Sequence, residues 1–246
     1  QVLGMTPDTL SVDGWGMTFS WSPDSSTIAF SAHRVEEENV NQSRTDIFLV
    51  NAQTFRVDGI VSRPGMDIDP IWSFDGRSLA FLSSGGTGSL RGPFELSILD
   101  VESHRESRLA APDGASPYSY QWLDADRLAF AAPVRMSCPV FVGHTRSSRV
   151  EQLSPDDLSC LGALRTTNRN GILALRGSFA HPAELIQSSG ARWNAQTMFP
   201  FDKPPVPLAR QRVIDWAVPG SPDRIHGILV EPNNSTQHPR PLLGRL

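Results

Sequence analysis

The chain has 246 residues, 39% hydrophobic and 20% charged, the balance of a folded, soluble globular protein rather than a disordered one. Its 22 Lys and Arg against 26 Asp and Glu give a net charge of -4 with no long basic block, so the electrostatic footprint of a nucleic-acid binder is missing. No stretch approaches the roughly 18 apolar residues of a membrane-spanning helix, and Cys138 and Cys160 alone make neither a disulfide framework nor a four-cysteine zinc site.

The N-terminus, Gln1-Val2-Leu3-Gly4, has no charged region followed by an apolar signal core, and the chain has no initiator Met. Next comes a motif that occurs three times: Trp21-Ser22-Pro23-Asp24 with Ile28-Ala29-Phe30, Trp72-Ser73-Phe74-Asp75 with Leu79-Ala80-Phe81, and Trp122-Leu123-Asp124-Ala125-Asp126 with Leu128-Ala129-Phe130. The Trp residues are 51 and 50 apart, a period that marks a repeat architecture. Each copy predicts a strand ending at Trp, a turn whose Asp accepts backbone N–H groups, and a second strand three or four residues later. A third strand follows each hairpin, at Asp46–Val50, Glu95–Leu99 and Pro139–Val142, and then a fourth, as at Arg56–Val61 and Arg149–Leu153. Four short strands in about 50 residues make one blade of a β-propeller.

Alternation sets Ile28 and Phe30, Leu79 and Phe81, Leu128 and Phe130 on one face, with Ala29, Ala80 and Ala129 on the other. Two apolar faces suit a sheet packed between two neighbours, where a repeated Ala admits the next sheet closely and the Trp and Phe residues are core. A fourth, degenerate copy is predicted at Gly171–Leu175 and Ala183–Gln187, without the Trp-x-x-Asp turn. Val2–Asp8 matches Val150–Asp156 at the end of a blade, so the chain is expected to start in the last strand of a blade whose beginning is absent. The fold class is therefore all-β, a partial, open propeller of about four blades over residues 1–202, exposing apolar faces at both ends.

After Lys203-Pro204-Pro205-Val206-Pro207 the pattern changes to a hairpin, Arg212–Val218 and Ile225–Pro232, then a polar loop and Pro241-Leu242-Leu243. Residues 203–246 are read as a linker and the truncated edge of another domain. Trp-Ser-Pro-Asp repeats followed by a Pro-rich link and a hairpin ending Leu229-Val230-Glu231-Pro232 resemble the S9 prolyl oligopeptidase family of serine peptidases, closest in style to its acylaminoacyl-peptidase and dipeptidyl-peptidase branches. TolB-like and other WD40-like propellers share the turn. The resemblance implies an α/β-hydrolase domain opened by the hairpin and a His-Gly-Gly oxyanion motif after the next apolar strand, where this chain reads Leu242-Leu243-Gly244-Arg245-Leu246.

Such a peptidase needs Ser on a Gly-x-Ser-x-Gly elbow, a His base and an orienting Asp. The sequence has no such elbow, and its histidines (His33, His104, His144, His181, His226 and His238) form no nucleophile–base pattern. Serines expected to be exposed, such as Ser84 and Ser189, lack an activating partner. No catalytic residue, metal site or cofactor is therefore predicted. In the loop between Phe30 and Asp46, Arg34-Val35-Glu36-Glu37-Glu38 carries clustered charge. It reads as a solvated loop, or, as the resemblance to dipeptidyl peptidases implies, Glu36 and Glu37 hold a substrate's N-terminal ammonium.

The expected function is that of a non-catalytic propeller fragment of a serine peptidase, inactive alone, whose blades gate short peptides to the active site. Its partners would be the peptide substrate of the full-length parent and the missing hydrolase domain, with neither nucleic acid nor membrane. The alternative is a standalone WD40-like or TolB-like propeller serving as a protein-binding module. Asn41-Gln42-Ser43 and Asn234-Ser235-Thr236 are glycosylation sequons that do not establish secretion, and the cytoplasm is favoured over it. Whether Cys138 and Cys160 pair is left open.

Overall fold

The computed structural model describes residues 18–32, 45–86, 93–156, 158–167, 171–178, 181–190, 192–196 and 210–231. The first sheet comprises β1 (Phe19–Trp21), β2 (Thr27–Ala32), β3 (Asp46–Asn51) and β4 (Val57–Val61). The second holds β5 (Asp67–Trp72), β6 (Ser78–Ser83), β7 (Glu95–Asp100) and β8 (Glu106–Leu109). In the third are β9 (Ser119–Trp122), β10 (Arg127–Ala131), β11 (Val140–His144) and β12 (Arg149–Gln152). The fourth has β13 (Cys160–Thr166), β14 (Ile172–Ser178), β15 (His181–Ser189) and β16 (Arg192–Ala195), so the degenerate copy is a complete blade. All four are antiparallel meanders in which each strand pairs with the next in sequence. The last pair, β17 (Arg210–Ala217) and β18 (Arg224–Glu231), forms a separate two-stranded hairpin.

The repeated turns explain the repeated sequence. Ser22 Oγ accepts the N–H of Thr27 at 2.9 Å and donates to Asp24 at 2.6 Å, and Asp24 accepts the N–H of Ser26 at 3.0 Å. Ser73 and Asp75 repeat this with Ser78 and Arg77, at 2.9, 2.7 and 3.1 Å. The third copy has Leu123 in place of the serine, and Arg127 Nε supplies the missing donor to Asp124 at 2.7 Å. The serine hydroxyl bonds hold Asp24 and Asp75 below the usual carboxylate range. At Asp124 burial pushes upward, and the Asp126 amide with Arg127 outweighs it.

Side-chain alternation then builds the blade junctions. Phe81 and Leu99 of the second blade meet Ile47 and Val61 of the first. On the opposite face, Ala80, Leu82, Leu96 and Ile98 meet Trp122, Leu128, Phe130 and Phe141 of the third. The third blade's other face, with Ala129, Ala131, Val140 and Val142, meets Leu164, Ile172, Ala174 and Ile186 of the fourth. Ala80 and Ala129 thus face the following blade while Phe81 and Phe130 face the preceding one, as the alternation predicts. Gly143 is a fixed point of the second junction: a Cβ there would lie 2.5 Å from Leu109 Cδ1 of the neighbouring blade. Among the described residues no core cluster joins the fourth sheet to the first, and the array is a partial, open propeller.

The expectation that every repeated aromatic is core needs correction. Trp122 is fully buried, Trp72 is half-buried, and Trp21 is 50% exposed. Pleating gives these residues the same orientation on their blades, so burial depends on whether a neighbour covers that face.

Candidate functional site

The first strands of successive blades bond to one another through side chains, and this is where the polar chemistry gathers. Ser20 Oγ of β1 accepts the N–H of Trp72 at 3.2 Å, and Ser119 Oγ of β9 accepts that of Leu164 at 3.3 Å. Between the second and third blades the direction reverses. The Tyr120 hydroxyl donates to the Asp69 carbonyl, and Trp122 Nε1 to the Ile71 carbonyl at 3.2 Å. Trp72 Nε1, by contrast, is buried without an acceptor among the described residues, so what the repeat keeps is the indole's bulk.

Asp69 lies in a β-bulge, where the register between β5 and β6 slips from Ile68 opposite Leu82 to Ile71 opposite Ala80. Its φ of 58° is left-handed, a conformation that Asp tolerates and that re-aims the side chain. Burial pushes its carboxyl above the usual range, against a hydrogen bond from Thr18 Oγ1 at 2.5 Å. Thr18 stands 51 residues earlier, at the equivalent position of the first blade. Burial thus makes ionisation of this carboxyl less favourable in the folded chain than in the unfolded one. Its raised pKa contributes stability that is present below the ordinary carboxylate value and lost as pH rises through the folded midpoint. Asp24, Asp75 and Asp124 have the opposite sign: their contribution is present above the ordinary value and lost as pH falls through their lowered midpoints. Asp69→Asn should therefore gain stability over the native chain as pH rises above the ordinary carboxylate value. Urea midpoints at a series of pH values check this, and a pH-independent difference contradicts it.

A second cluster locks the link between the first two blades. The Arg63 guanidinium forks onto Asp67 at 2.8 and 3.0 Å and onto Glu106 at 2.7 and 3.1 Å. It also donates to Ser83 Oγ at 3.0 Å and lies 5.8 Å from the Phe81 ring centroid. Asp67 is buried and Arg63 partly so. Burial opposes the charges of Arg63 and Glu106, yet the bonds win: Asp67 first and then Glu106 hold the guanidinium above its ordinary value, and Arg63 holds Glu106 below its own. With its donors committed in this way, Arg63 acts as a clamp rather than as a ligand site. Sequence reading missed it because Glu106 is 43 residues from Arg63.

The sequence-nominated residues do not converge. Glu36 and Glu37 lie outside the described residues, as do His33 and His238. His104 is on an outer turn, His144 is 3.3 Å from Glu151 on neighbouring outer strands, His181 opens β15, and His226 faces Asp215 across the hairpin. Ser189 is exposed, but Ser84 is buried and accepts the N–H of Met66 at 2.8 Å, which corrects its expected exposure. Both cysteines are free thiols in the core between the third and fourth blades. Cys138 forms an isolated parallel bridge with Ser159, and burial raises both thiols, Cys138 to about 11. Among the described residues no group of three or more His, Cys, Asp or Glu is placed to hold a metal.

No protein-family model and no curated protein matches the chain. Solved structures do resemble it. TolB from Acinetobacter baumannii is 16% identical with a TM-score of 0.54, the alignment covering 87% of this chain and 51% of that one. A puromycin hydrolase is 13% identical with a TM-score of 0.63, covering 88% and 34%. A puromycin-hydrolyzing peptidase from Mycobacterium tuberculosis is 13% identical with a TM-score of 0.62, covering 84% and 32%. The chain thus spans about half the length of TolB and about a third of each peptidase chain. At these identities the likeness defines the fold, a β-propeller.

Proposed function

We propose that this chain is the non-catalytic propeller part of an S9-type serine peptidase, where its blades limit which short peptides reach a hydrolase active site supplied by another domain. The observation that carries the reading is the join of four blades to a hairpin, β17–β18, that lies outside the blade pattern. A propeller that only binds proteins, the reading that the TolB likeness favours, has no need of such an appended element. The fold likeness to two puromycin-hydrolysing enzymes supports the peptidase reading. In these terms residues 1–202 are the propeller and residues 203–246 the link and first edge of the hydrolase domain. Reading the genomic DNA beyond the Leu243 codon tests this. The reading predicts a coding stretch with His-Gly-Gly followed by Gly-x-Ser-x-Gly; the absence of both refutes it.

Glu36 and Glu37 are proposed to hold the substrate's N-terminal ammonium in that parent enzyme. Replacing both by Ala should raise KM for peptides with a free N-terminus and spare N-blocked ones, because only the former present a cation for the carboxylates to neutralise. Equal effects on both substrate classes would remove this role.

A further inference from the structure

The register slip in β5 sets Asp69 and Pro70 together in the bulge, and they are the one Asp-Pro pair in the sequence. A residue before proline is pushed toward extended backbone, because the proline ring collides with it elsewhere. Asp69 is nevertheless left-handed, with φ 58°, and breaking its bond to Pro70 releases that conflict.

The carbonyl of this bond is held by a donor. The Tyr120 hydroxyl of β9 donates to the Asp69 carbonyl, and the Leu82 amide reaches the same hydroxyl, which leaves the phenol its own proton to give. A donor fixed on a carbonyl oxygen stabilises the negative charge that grows there when the carbon is attacked. The nucleophile in reach is the carboxyl of Asp69 itself, since its attack on that carbon closes a five-membered ring. Thr18 holds Oδ1 at 2.5 Å, and Oδ2 has no hydrogen-bond partner among the described residues. Burial keeps this carboxyl protonated to a higher pH than usual, and no charged side chain of the described residues shifts it.

We infer that Asp69–Pro70 is a self-cleaving peptide bond, cut by the Asp69 carboxyl while Tyr120 holds the oxyanion. One carboxyl oxygen bonds to the Asp69 carbonyl carbon, the C–N bond to Pro70 breaks, and the carboxyl proton passes to the prolyl nitrogen. A five-membered cyclic anhydride results. One water opens it, leaving Asp69 as a C-terminus with two carboxyls and Pro70 as a free secondary amine. The event occurs once, on the chain's own backbone, and acts on no substrate. None of this chemistry depends on the peptidase reading.

Incubation of the purified chain at about pH 5, folded and in urea, with intact-mass readout, tests it. The folded chain should yield residues 1–69 and a second fragment that begins Pro70-Ile71-Trp72. Its rate should exceed that of the unfolded chain by about tenfold or more, because only the fold supplies the oxyanion donor. Cleavage of the folded chain should also persist to higher pH than cleavage in urea, since the buried carboxyl keeps its proton longer. Tyr120→Phe should bring the folded rate down to the rate in urea and leave the latter unchanged, with native circular dichroism. Asp69→Asn, which tolerates the left-handed backbone but lacks the carboxyl, should stay intact in both states. A folded chain that cleaves no faster than the unfolded one has ordinary acid lability only, which overturns the self-cleaving site whatever the fate of Tyr120→Phe. An unchanged folded rate in a natively folded Tyr120→Phe variant would refute the oxyanion role, and coincident pH profiles would refute attack by the protonated carboxyl.

Discussion

Arg63→Ala should destabilise the chain by about 3 kcal/mol, because it leaves Asp67 buried without its cation. The carboxylate of Asp67 has a side-chain exposure of 1%, and Arg63 meets it through two hydrogen bonds. Glu106 would lose its partner too, but it is more exposed and Arg108 lies 3.9 Å away. Arg63→Lys should recover only a minor part, since a point ammonium cannot fork onto Asp67 and Glu106 together. The comparison is Arg56→Ala, which breaks an exposed pair with Asp58 at 3.1 Å and should cost less than about 0.5 kcal/mol. Urea unfolding of the three variants measures these differences. Equal small losses for Arg63→Ala and Arg56→Ala would show that the clamp does not hold the first two blades together.

Trp122→Ala should be at least as damaging, costing roughly 3–5 kcal/mol, through the cavity it leaves beneath Leu128 and Phe130 and the lost bond to the Ile71 carbonyl. The same substitution at Trp21, its equivalent two repeats earlier, should cost less than about 1 kcal/mol, since half of that side chain is already in water. The pair is informative because sequence context is nearly matched while burial is not. Equal losses at the two sites would mean that the face of the first blade is covered after all.

This contrast also marks what the sequence could reveal. Trp, Asp and the Ala-Phe pair recur because each hairpin solves the same local problem of turn capping and two-sided packing, so blade positions and strand order were readable from one chain. Burial of Trp21 was not, because it depends on a neighbour that a repeat count does not supply. The fourth blade was harder to see, since Thr167 Oγ1 accepting the N–H of Gly171 at 3.1 Å replaces the Asp turn. The outer turns hid another regularity: Phe55, His104 and Ser148 all have left-handed φ, of 56°, 55° and 52°, just before Arg56, Arg105 and Arg149. Three unrelated side chains occupy that backbone position, so residue type gave no signal. Arg63 and Asp69 escaped for the opposite reason, their partners being distant in sequence. Of the nominated site, Glu36 and Glu37 rest on the charge pattern and the family resemblance and lie outside the described residues.

In the proposed reading the propeller selects substrates and holds no nucleophile of its own. Restricting access changes which peptide arrives and leaves the chemical barrier where it was, and a serine hydroxyl without a base is a poor nucleophile at neutral pH. Ser84 is engaged with a backbone amide, and the four described histidines, His104, His144, His181 and His226, are spread over separate sheets and turns. The direct measurement is incubation of the purified chain with a fluorophosphonate serine-hydrolase probe, alongside aminoacyl and acyl-aminoacyl chromogenic peptides. The expected result is no labelled serine and no turnover above the uncatalysed rate; stoichiometric labelling of one serine, with turnover that persists through repeated purification, would contradict it.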